Sequence, residues 1–563
     1  MSKPASKATV IGRCFLIALT ATPFLLSAAG ALRFQTLRAA VSNLFAALLA
    51  AMLIAALART WRRFFVAFFP PLILATVFAG YQMTFGVPPG RTAALLLGGV
   101  SLEEAHGLLS IPMIRNSIGL LILASIFYLV LALRQPAQAI CPTASLPESG
   151  RRWRGCRALL LLCIPLTIYC ATNSADLVDG LGSNPVLGSA LFLGDELPRA
   201  RRDLAGGMVH KLPYRASRSG GEEVHILVIG ESARRASWSA YGYSRATTPH
   251  LASMRNEIIF LQNALADANL TAWSVPILLT GLTPEQLPHS EFHGNLLDLA
   301  REAGYDTSWL INHDITISNF VGVNADHMTY PPEISRSLYG RDTLDEILLP
   351  SFRAALARAG KPRFIGLHMM GSHWIYTHRY PASFHLFGPT SSVNEVTLLD
   401  PRGEAGKQQL VNAYDNTLAY TDWILNALIE QARTLRVPAT LTYFPDHGED
   451  LELLDGTAGH GSPAFTPHDF EIPAFVWMND AYRQAHPDKV AALTENAAKL
   501  IRTHDVFTTV ADLMGINWPA RSPSRSFVSR QFQPDTAMKY IAGGRPVDRL
   551  PPVPRAQDLS ARR

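Results

Sequence analysis

Apolar residues dominate the first 171 positions in long runs, whereas beyond them they come in short bursts broken by polar residues. Five of the long runs, 14–32, 40–58, 64–82, 117–133 and 156–171, have or approach the length of a membrane-crossing helix, for which about 17–25 apolar residues suffice. A weaker run at 92–112 carries Glu103, Glu104 and His106 and is expected to lie at the membrane interface rather than cross it. The first run is not read as a cleaved leader, because further spans follow and no cleavage pattern stands out. Basic residues then predict the orientation. Lys3, Lys7 and Arg13 precede the first span, Arg59, Arg62 and Arg63 follow the second, and Arg134, Arg151, Arg152, Arg154 and Arg157 follow the fourth. The alternate loops hold Arg33, Arg38, Arg91 and Arg115. Positive-inside bias places the N-terminus in the cytoplasm, and an odd number of spans sends everything after about residue 171 to the far side. The predicted organisation is a membrane domain over 1–171, a linker skirting the membrane over 172–222, and an extracytoplasmic domain over 223–563.

In the last of these the pattern changes to strand, helix, strand. V-H-I-L-V-I-G at 224–230 ends at Glu231, and F-I-G-L-H-M-M at 364–370 ends before Gly371-Ser372-His373. A third apolar strand, A-T-L-T-Y-F-P at 439–445, ends at Asp446-His447-Gly448, and helical patterns occupy 293–303 and 407–434. That order predicts an α/β sandwich with a largely parallel sheet. Ligands in such sheets bind beyond the carboxyl ends of the strands, where all three polar clusters fall.

Composition alters this picture only slightly. The 48% hydrophobic content and mean hydropathy of +0.12 are mild overall, because the excess sits at the N-terminal end. A net charge of +5 with no basic stripe gives no support for nucleic-acid binding. Cys14, Cys156, Cys163 and Cys170 lie in or beside the spans and Cys141 in an inner loop. The large domain therefore has no cysteine and must fold without disulfides.

The strand-end residues suggest chemistry. Glu231, Asp446 and His447 form an oxygen, oxygen, nitrogen set suited to zinc, or less well to manganese, with Gly448 permitting the turn. The bland alternative is that each merely caps a strand. Thr271, in N-L-T-A-W-S-V-P-I-L-L-T-G, is the candidate nucleophile: at the start of a short helix it would meet free N–H groups and the positive end of the dipole, donors that also suit a phosphoryl group. Metal coordination would make its hydroxyl a usable alkoxide. Pro276 is expected in the opening turn of that helix, and an ordinary threonine N-cap is the alternative. Ser232 is expected to point elsewhere, being next to Glu231 on an extended chain. His368 is expected to be a packed histidine.

G-E-S-A-R at 230–234 and G-Y-S-R-A-T-T-P at 242–249 resemble the bacterial inner-membrane phosphoethanolamine transferases of the alkaline phosphatase and sulfatase superfamily. The resemblance continues through T-A-W-S-V-P (271–276), M-G-S-H (370–373), N-A-Y-D-N (412–416), D-H-G-E (446–449), G-H-G (459–461) and I-P-A-F-V-W (472–477), and extends to the spans. It implies a zinc site of Glu231, Thr271, Asp446 and His447, with His373 and His460 as further active-site histidines that stabilise phosphoryl oxygens, ligate a second zinc or act as acid and base. It also implies transfer from a phospholipid, normally phosphatidylethanolamine, through a phospho-threonine, with diacylglycerol leaving. The acceptor would be lipid A, lipopolysaccharide core or periplasmic glucan, and the enzyme a monomer in the inner membrane with its catalytic domain in the periplasm. Where the family commonly has an Asn-Asn pair and a lysine in the donor pocket, this chain reads W-L-I-N-H-D-I-T-I at 309–317: Asn312 keeps the first role, His313 substitutes in the second, and Ile317 carries no charge. Ala268 and Ile277 stand where lipid A enzymes commonly have cysteines. Phosphoglycerol transfer from phosphatidylglycerol is the alternative within the same chemistry, and an inactive sensory or structural membrane protein the alternative outside it.

Overall fold

The computed structural model describes residues 6–34, 60–85, 112–138, 189, 192–198, 212–287, 294–313, 321, 323–329, 343–390, 403–451, 459–461, 465–543 and 545–550. They divide into two compact units, one of Met1–Gly99 with Pro112–Arg202, the other of Val100–Ile111 with Asp203–Arg563.

The first unit contains α1 (Lys7–Phe34), α2 (Trp61–Phe85) and α3 (Pro112–Arg134). Each includes a segment long and apolar enough to cross a membrane: Lys7–Ser27, Trp61–Tyr81 and Asn116–Arg134. They match the first, third and fourth predicted spans. The runs at 40–58, 92–112 and 156–171 lie outside the described residues. Leu16 and Phe24 of α1, Phe64, Phe65 and Phe68 of α2 and Tyr128 of α3 pack into one aromatic-rich core. In that core Tyr128 Oη lies 3.1 Å from Thr20 Oγ1, so the buried hydroxyls satisfy each other. Leu120, Ile122 and Leu123 of α3 are left exposed, as residues facing hydrocarbon would be.

The second unit is built on an eight-stranded sheet. Its strands are β1 (Val224–Gly230), β2 (Ile258–Leu265), β3 (Asp306–Ile311), β4 (His327–Thr329), β5 (Arg363–His368), β6 (Ala439–Pro445), β7 (Glu471–Met478) and β8 (Leu500–Arg502). Their order across the sheet is β4-β3-β5-β1-β6-β7-β2-β8. β7 runs antiparallel to both neighbours, and the other pairings are parallel. β1 is buried at all seven positions, which explains why its sequence is a continuous apolar run rather than an alternating one. Each of its large aliphatics contributes roughly 1.5–3 kcal/mol by leaving water. Four helices matter here: α4 (Thr271–Thr280), α5 (Leu348–Ala357), α6 (Gly403–Arg433) and α7 (Asp505–Leu513). Tyr414, Leu418, Leu425 and Leu428 of α6 and Phe352 of α5 join Val224, Ile226 and Val228 of β1 in the main core. α7 packs on α4 and also meets β1. The predicted strands and the long 407–434 helix thus appear where the sequence put them.

Candidate active site

Strand register brings the polar clusters together. Ile229 of β1 pairs with His368 of β5 and Phe444 of β6, and His368 in turn pairs with Ile311 of β3. Four adjacent parallel strands therefore end level, and the residues that follow step out side by side. Backbone hydrogen bonds carry the alignment past the strand ends: Asn312 N–H donates to His368 O (2.8 Å), Met369 N–H to Ile229 O (3.0 Å) and Asp446 N–H to Gly230 O (3.0 Å).

Glu231, Asp446 and His447 meet in the interior at this edge, all 0–1% exposed. His447 Nε2 lies 3.2 Å from Asp446 Oδ2 and 3.6 Å from Glu231 Oε1. Its Nδ1 bonds Gly448 O at 2.8 Å, so Nδ1 carries the proton and Nε2 presents a lone pair to the site. Asp446 Oδ1 accepts from the N–H groups of Ser232 (3.1 Å) and His447 (2.8 Å), leaving Oδ2 buried and without a hydrogen bond among the described residues. Burial, and then the charge of Glu231, push the Asp446 carboxyl well above the ordinary carboxylate range. Glu231 is held well below it: burial alone would raise it, but the hydrogen bond and charge of His313, followed by His447 and His373, prevail. Two adjacent buried carboxylates cannot both ionise unless a cation joins them. With an orphaned Oδ2 and a bare imidazole nitrogen beside them, these residues fit a bound divalent metal.

Thr271 is the first residue of α4, and Leu270 holds the N-cap position with no side-chain cap. The threonine hydroxyl is therefore not spent on capping. It donates to Glu231 Oε2 at 3.2 Å and lies 3.4 Å from His447 Nε2. Pro276 comes sixth in the helix, beyond the opening turn. Gly448 permits the Asp-His turn by close approach rather than by unusual dihedrals: a Cβ there would sit 1.9 Å from the carbonyl oxygen of His468.

Around this centre stand the other histidines. His460 bonds Glu449 Oε2 through Nδ1 at 3.0 Å, and its ring centroid is 4.0 Å from that of His447. Burial would lower its pKa, yet the buried Glu449 carboxylate lifts it to about 9. His373 bonds Trp374 O through Nδ1 at 2.7 Å, and burial takes its pKa down to about 3. His313 brings Nε2 to 3.1 Å from Glu231 Oε2 and its ring lies 5.6 Å from that of His373. Asn312 turns away from this group. Its amide donates to Thr343 O and Asp345 Oδ1, while Asp345 receives the N–H groups of Met370 and Gly371. Asn312 is thus bonded to the wall behind the 370–373 loop.

Three residues gain importance over their reading in sequence. Ser232 does not point elsewhere: with φ of 52° it turns its Oγ to donate to Glu231 Oε1 at 2.6 Å, a geometry that extended-chain reasoning misses. Glu449, visible only as the last letter of D-H-G-E, proves to be the partner of His460. His368 is packed, as expected, but against the ring of His313 at 4.4 Å and among the candidate metal-binding groups.

The largely parallel sheet, the level strand ends and the acidic, histidine-rich cluster define a metal-dependent enzyme of the alkaline phosphatase type. The sequence pattern of the sulfatase family matches residues 224–516, and the chain belongs to that family. Among curated relatives, the phosphoethanolamine transferase EptA of Salmonella typhimurium is 29% identical over 301 residues, covering 52% of this chain and 53% of its own. The chain spans about half the length of the curated relatives it matches. The zinc complex of the C-terminal periplasmic domain of EptC from Escherichia coli superposes with a TM-score of 0.54 and 25% identity, over 61% of this chain and 98% of that one. The integral membrane protein lipooligosaccharide phosphoethanolamine transferase A from Neisseria meningitidis shares the fold, with a TM-score of 0.61 and 23% identity over 83% of this chain and 89% of its own. The architecture of a multi-span helical region followed by a sulfatase-like α/β domain is thereby established.

Proposed function

We propose that the protein transfers phosphoethanolamine from phosphatidylethanolamine to a cell-envelope glycan or glycolipid through a phospho-threonine at Thr271, releasing diacylglycerol. The observation that carries this reading is the position of Thr271 Oγ1, at the mouth of a helix and 3.2 Å and 3.4 Å from the Glu231 and His447 site atoms. Similarity to phosphoethanolamine transferases supports the choice of head group. The chain is a multi-pass inner-membrane protein whose catalytic domain faces the periplasm, with 1–171 as membrane domain, 172–222 as linker and 223–563 as catalytic domain.

Glu231, Thr271, Asp446 and His447 would hold one zinc ion, which when bound lowers the pKa of the threonine hydroxyl and offsets phosphate charge. In the first half-reaction Thr271 Oγ attacks phosphorus and passes its proton to Glu231 Oε2, to which it donates at 3.2 Å, and the bond from phosphorus to the diacylglycerol oxygen breaks. His460, kept protonated at neutral pH by Glu449, is suited to give a proton to that departing oxygen. In the second, an acceptor hydroxyl loses its proton to the same imidazole and attacks phosphorus, the bond from phosphorus to Thr271 Oγ breaks, and the threonine recovers its proton from Glu231. His373 and His313, at the same rim, would contact the phosphoryl oxygens and head group. Asn312 would act in the donor pocket indirectly, through Asp345 and the 370–373 loop. A lipid donor remains in the bilayer because each buried methylene favours retention by about 0.8 kcal/mol, which accounts for a catalytic domain tethered to spans. Lipid A, lipopolysaccharide core and periplasmic glucan are the acceptor classes that fit this placement.

The test is mass spectrometry of zinc-loaded full-length protein after incubation with vesicles of mixed phosphatidylethanolamine and phosphatidylglycerol. The expected result is a phosphoethanolamine adduct on Thr271, absent in Thr271→Ala, whose zinc content stays near that of the parent. A phosphoglycerol adduct would replace the donor assignment. Absence of both adducts together with absence of diacylglycerol would overturn the reading.

A further inference from the structure

The two oxygens of Glu231 face different partners. Oε1 receives the Ser232 hydroxyl at 2.6 Å and lies 3.6 Å from His447 Nε2, on the side of the Asp446–His447 pair. Oε2 lies 3.1 Å from His313 Nε2 and also accepts from the Thr271 hydroxyl at 3.2 Å. Behind His313 its ring stacks on that of His368, with centroids 4.4 Å apart and planes 11° from parallel. His368 is fully buried, and neither of its ring nitrogens has a hydrogen-bond partner among the described residues. That is an unusual state for an imidazole, because a buried polar group without a partner loses its hydration and gains nothing in return, and native interiors contain few of them. One ligand atom from each of Glu231, His313 and His368 lies within 4.8 Å of the others, the spacing that a single ion bridges.

We propose that Glu231, His313 and His368 form a second site for a divalent transition metal, with zinc as its occupant, and that the Glu231 carboxylate bridges it to the ion held by Asp446 and His447. The donor set is two imidazoles and a carboxylate, which suits zinc and similar ions rather than magnesium or calcium. The fold builds the site without a loop rearrangement. Its three residues come from three neighbouring parallel strands, β3, β5 and β1, with His368 as the last residue of β5 and the other two placed two residues beyond the aligned pair Ile311 and Ile229. An ion there gives one of the two orphaned nitrogens of His368 a partner, and its charge favours the neutral, lone-pair-bearing form of the ring. The face-to-face imidazoles are then two ligands approaching one ion from adjacent positions. The proposal concerns metal binding and stands independently of the head group transferred. It differs from a second ion on His373 and His460, which are tied through their Nδ1 atoms to Trp374 and Glu449.

The experiment uses full-length protein in detergent, saturated with zinc, desalted, and assayed for bound zinc per chain. Two ions per chain are expected in the parent, and one in His313→Asn and in His368→Gln. Asp446→Asn should lose the ion at the Asp446–His447 pair, so a parent that binds no zinc there would count against the primary site and not only against the second. Because a histidine variant could misfold, zinc-edge anomalous scattering from crystals of the parent supplies an independent reading. A second peak within bonding distance of Glu231, His313 and His368 is the expected result. A single peak at Asp446 and His447, a second peak on His373 and His460 instead, or two ions retained by both histidine variants would each overturn the proposal.

Discussion

At the scale of single residues, hydrogen bonds distinguish side chains that reach into the candidate site from those that hold them. Extended-chain geometry predicts that Ser232 faces away from Glu231, yet it orients that carboxylate because a positive φ reverses its side chain. No residue letter announces that dihedral, since serine rarely adopts it. A second example lies at the far end of β1, away from the site. Glu223 is nearly buried between His225 Nε2 at 3.1 Å and His486 Nε2 at 2.9 Å. Burial opposes its charge, but the hydrogen bonds and charges of the two histidines outweigh it and depress the carboxyl far below its ordinary 4.5. A depressed carboxyl contributes stability above its unfolded pKa and loses it as pH falls through the folded value. Glu223→Gln should therefore lower the melting temperature by several degrees at pH 7, and the deficit should shrink only below about pH 4.5. Melting curves of both proteins from pH 3 to 8 check this; a deficit independent of pH would show that packing, not charge, is what glutamate supplies.

At the scale of elements, the decisive device is the level ending of β3, β5, β1 and β6. The sequence shows three apolar runs that stop at polar clusters, and this was enough to nominate Glu231, Asp446, His447 and the 371–373 loop. It could not show that β5 lies between β3 and β1, which is what puts His313 and His368 beside Glu231. Tight turns keep the strand ends in place. A Cβ at position 448 would collide with a backbone carbonyl of the segment leading into β7, and backbone cannot yield as a flexible side chain does. Gly448→Ala should displace the Asp446–His447 turn, cost about 1–3 kcal/mol in stability and reduce zinc retention together with turnover. Zinc content and thermal melting of the variant are the checks, and a parent-like value for both would show that the turn adapts.

For the whole molecule, stability and metal occupancy are linked. Removing the ion leaves Glu231 and Asp446 as neighbouring buried carboxylates, one of which must take up a proton. Chelation should lower the melting temperature of the sulfatase-like unit, since a ligand present at about 100 times its Kd contributes about 2.7 kcal/mol. Asp446→Asn should invert the comparison. It removes one of the opposed charges, so in chelator it should melt no lower than the parent, whereas in zinc the parent should melt higher. Calorimetry of the two proteins in both conditions tests this, and an unchanged parent melting point on chelation would contradict a metal held by these groups.

The sequence by itself determined the division into apolar spans and an α/β domain, because burial in lipid and burial at the centre of a parallel sheet both write themselves as long apolar runs. It also nominated Glu231 and the Asp446–His447 pair as candidate ligands, since they terminate such runs, and it pointed to Thr271 through the residues around it. Only the tertiary structure decided which strands are neighbours and therefore which polar ends meet in one cluster. It also decided that Thr271 is the first residue of α4 rather than its cap, that Asn312 bonds to Asp345, and that His368 faces His313. These are contacts between segments far apart in the chain, and local pattern carries no record of them: the alternation of apolar and polar positions fixes which face of a strand is buried, but the order of strands in the sheet fixes what each buried group touches.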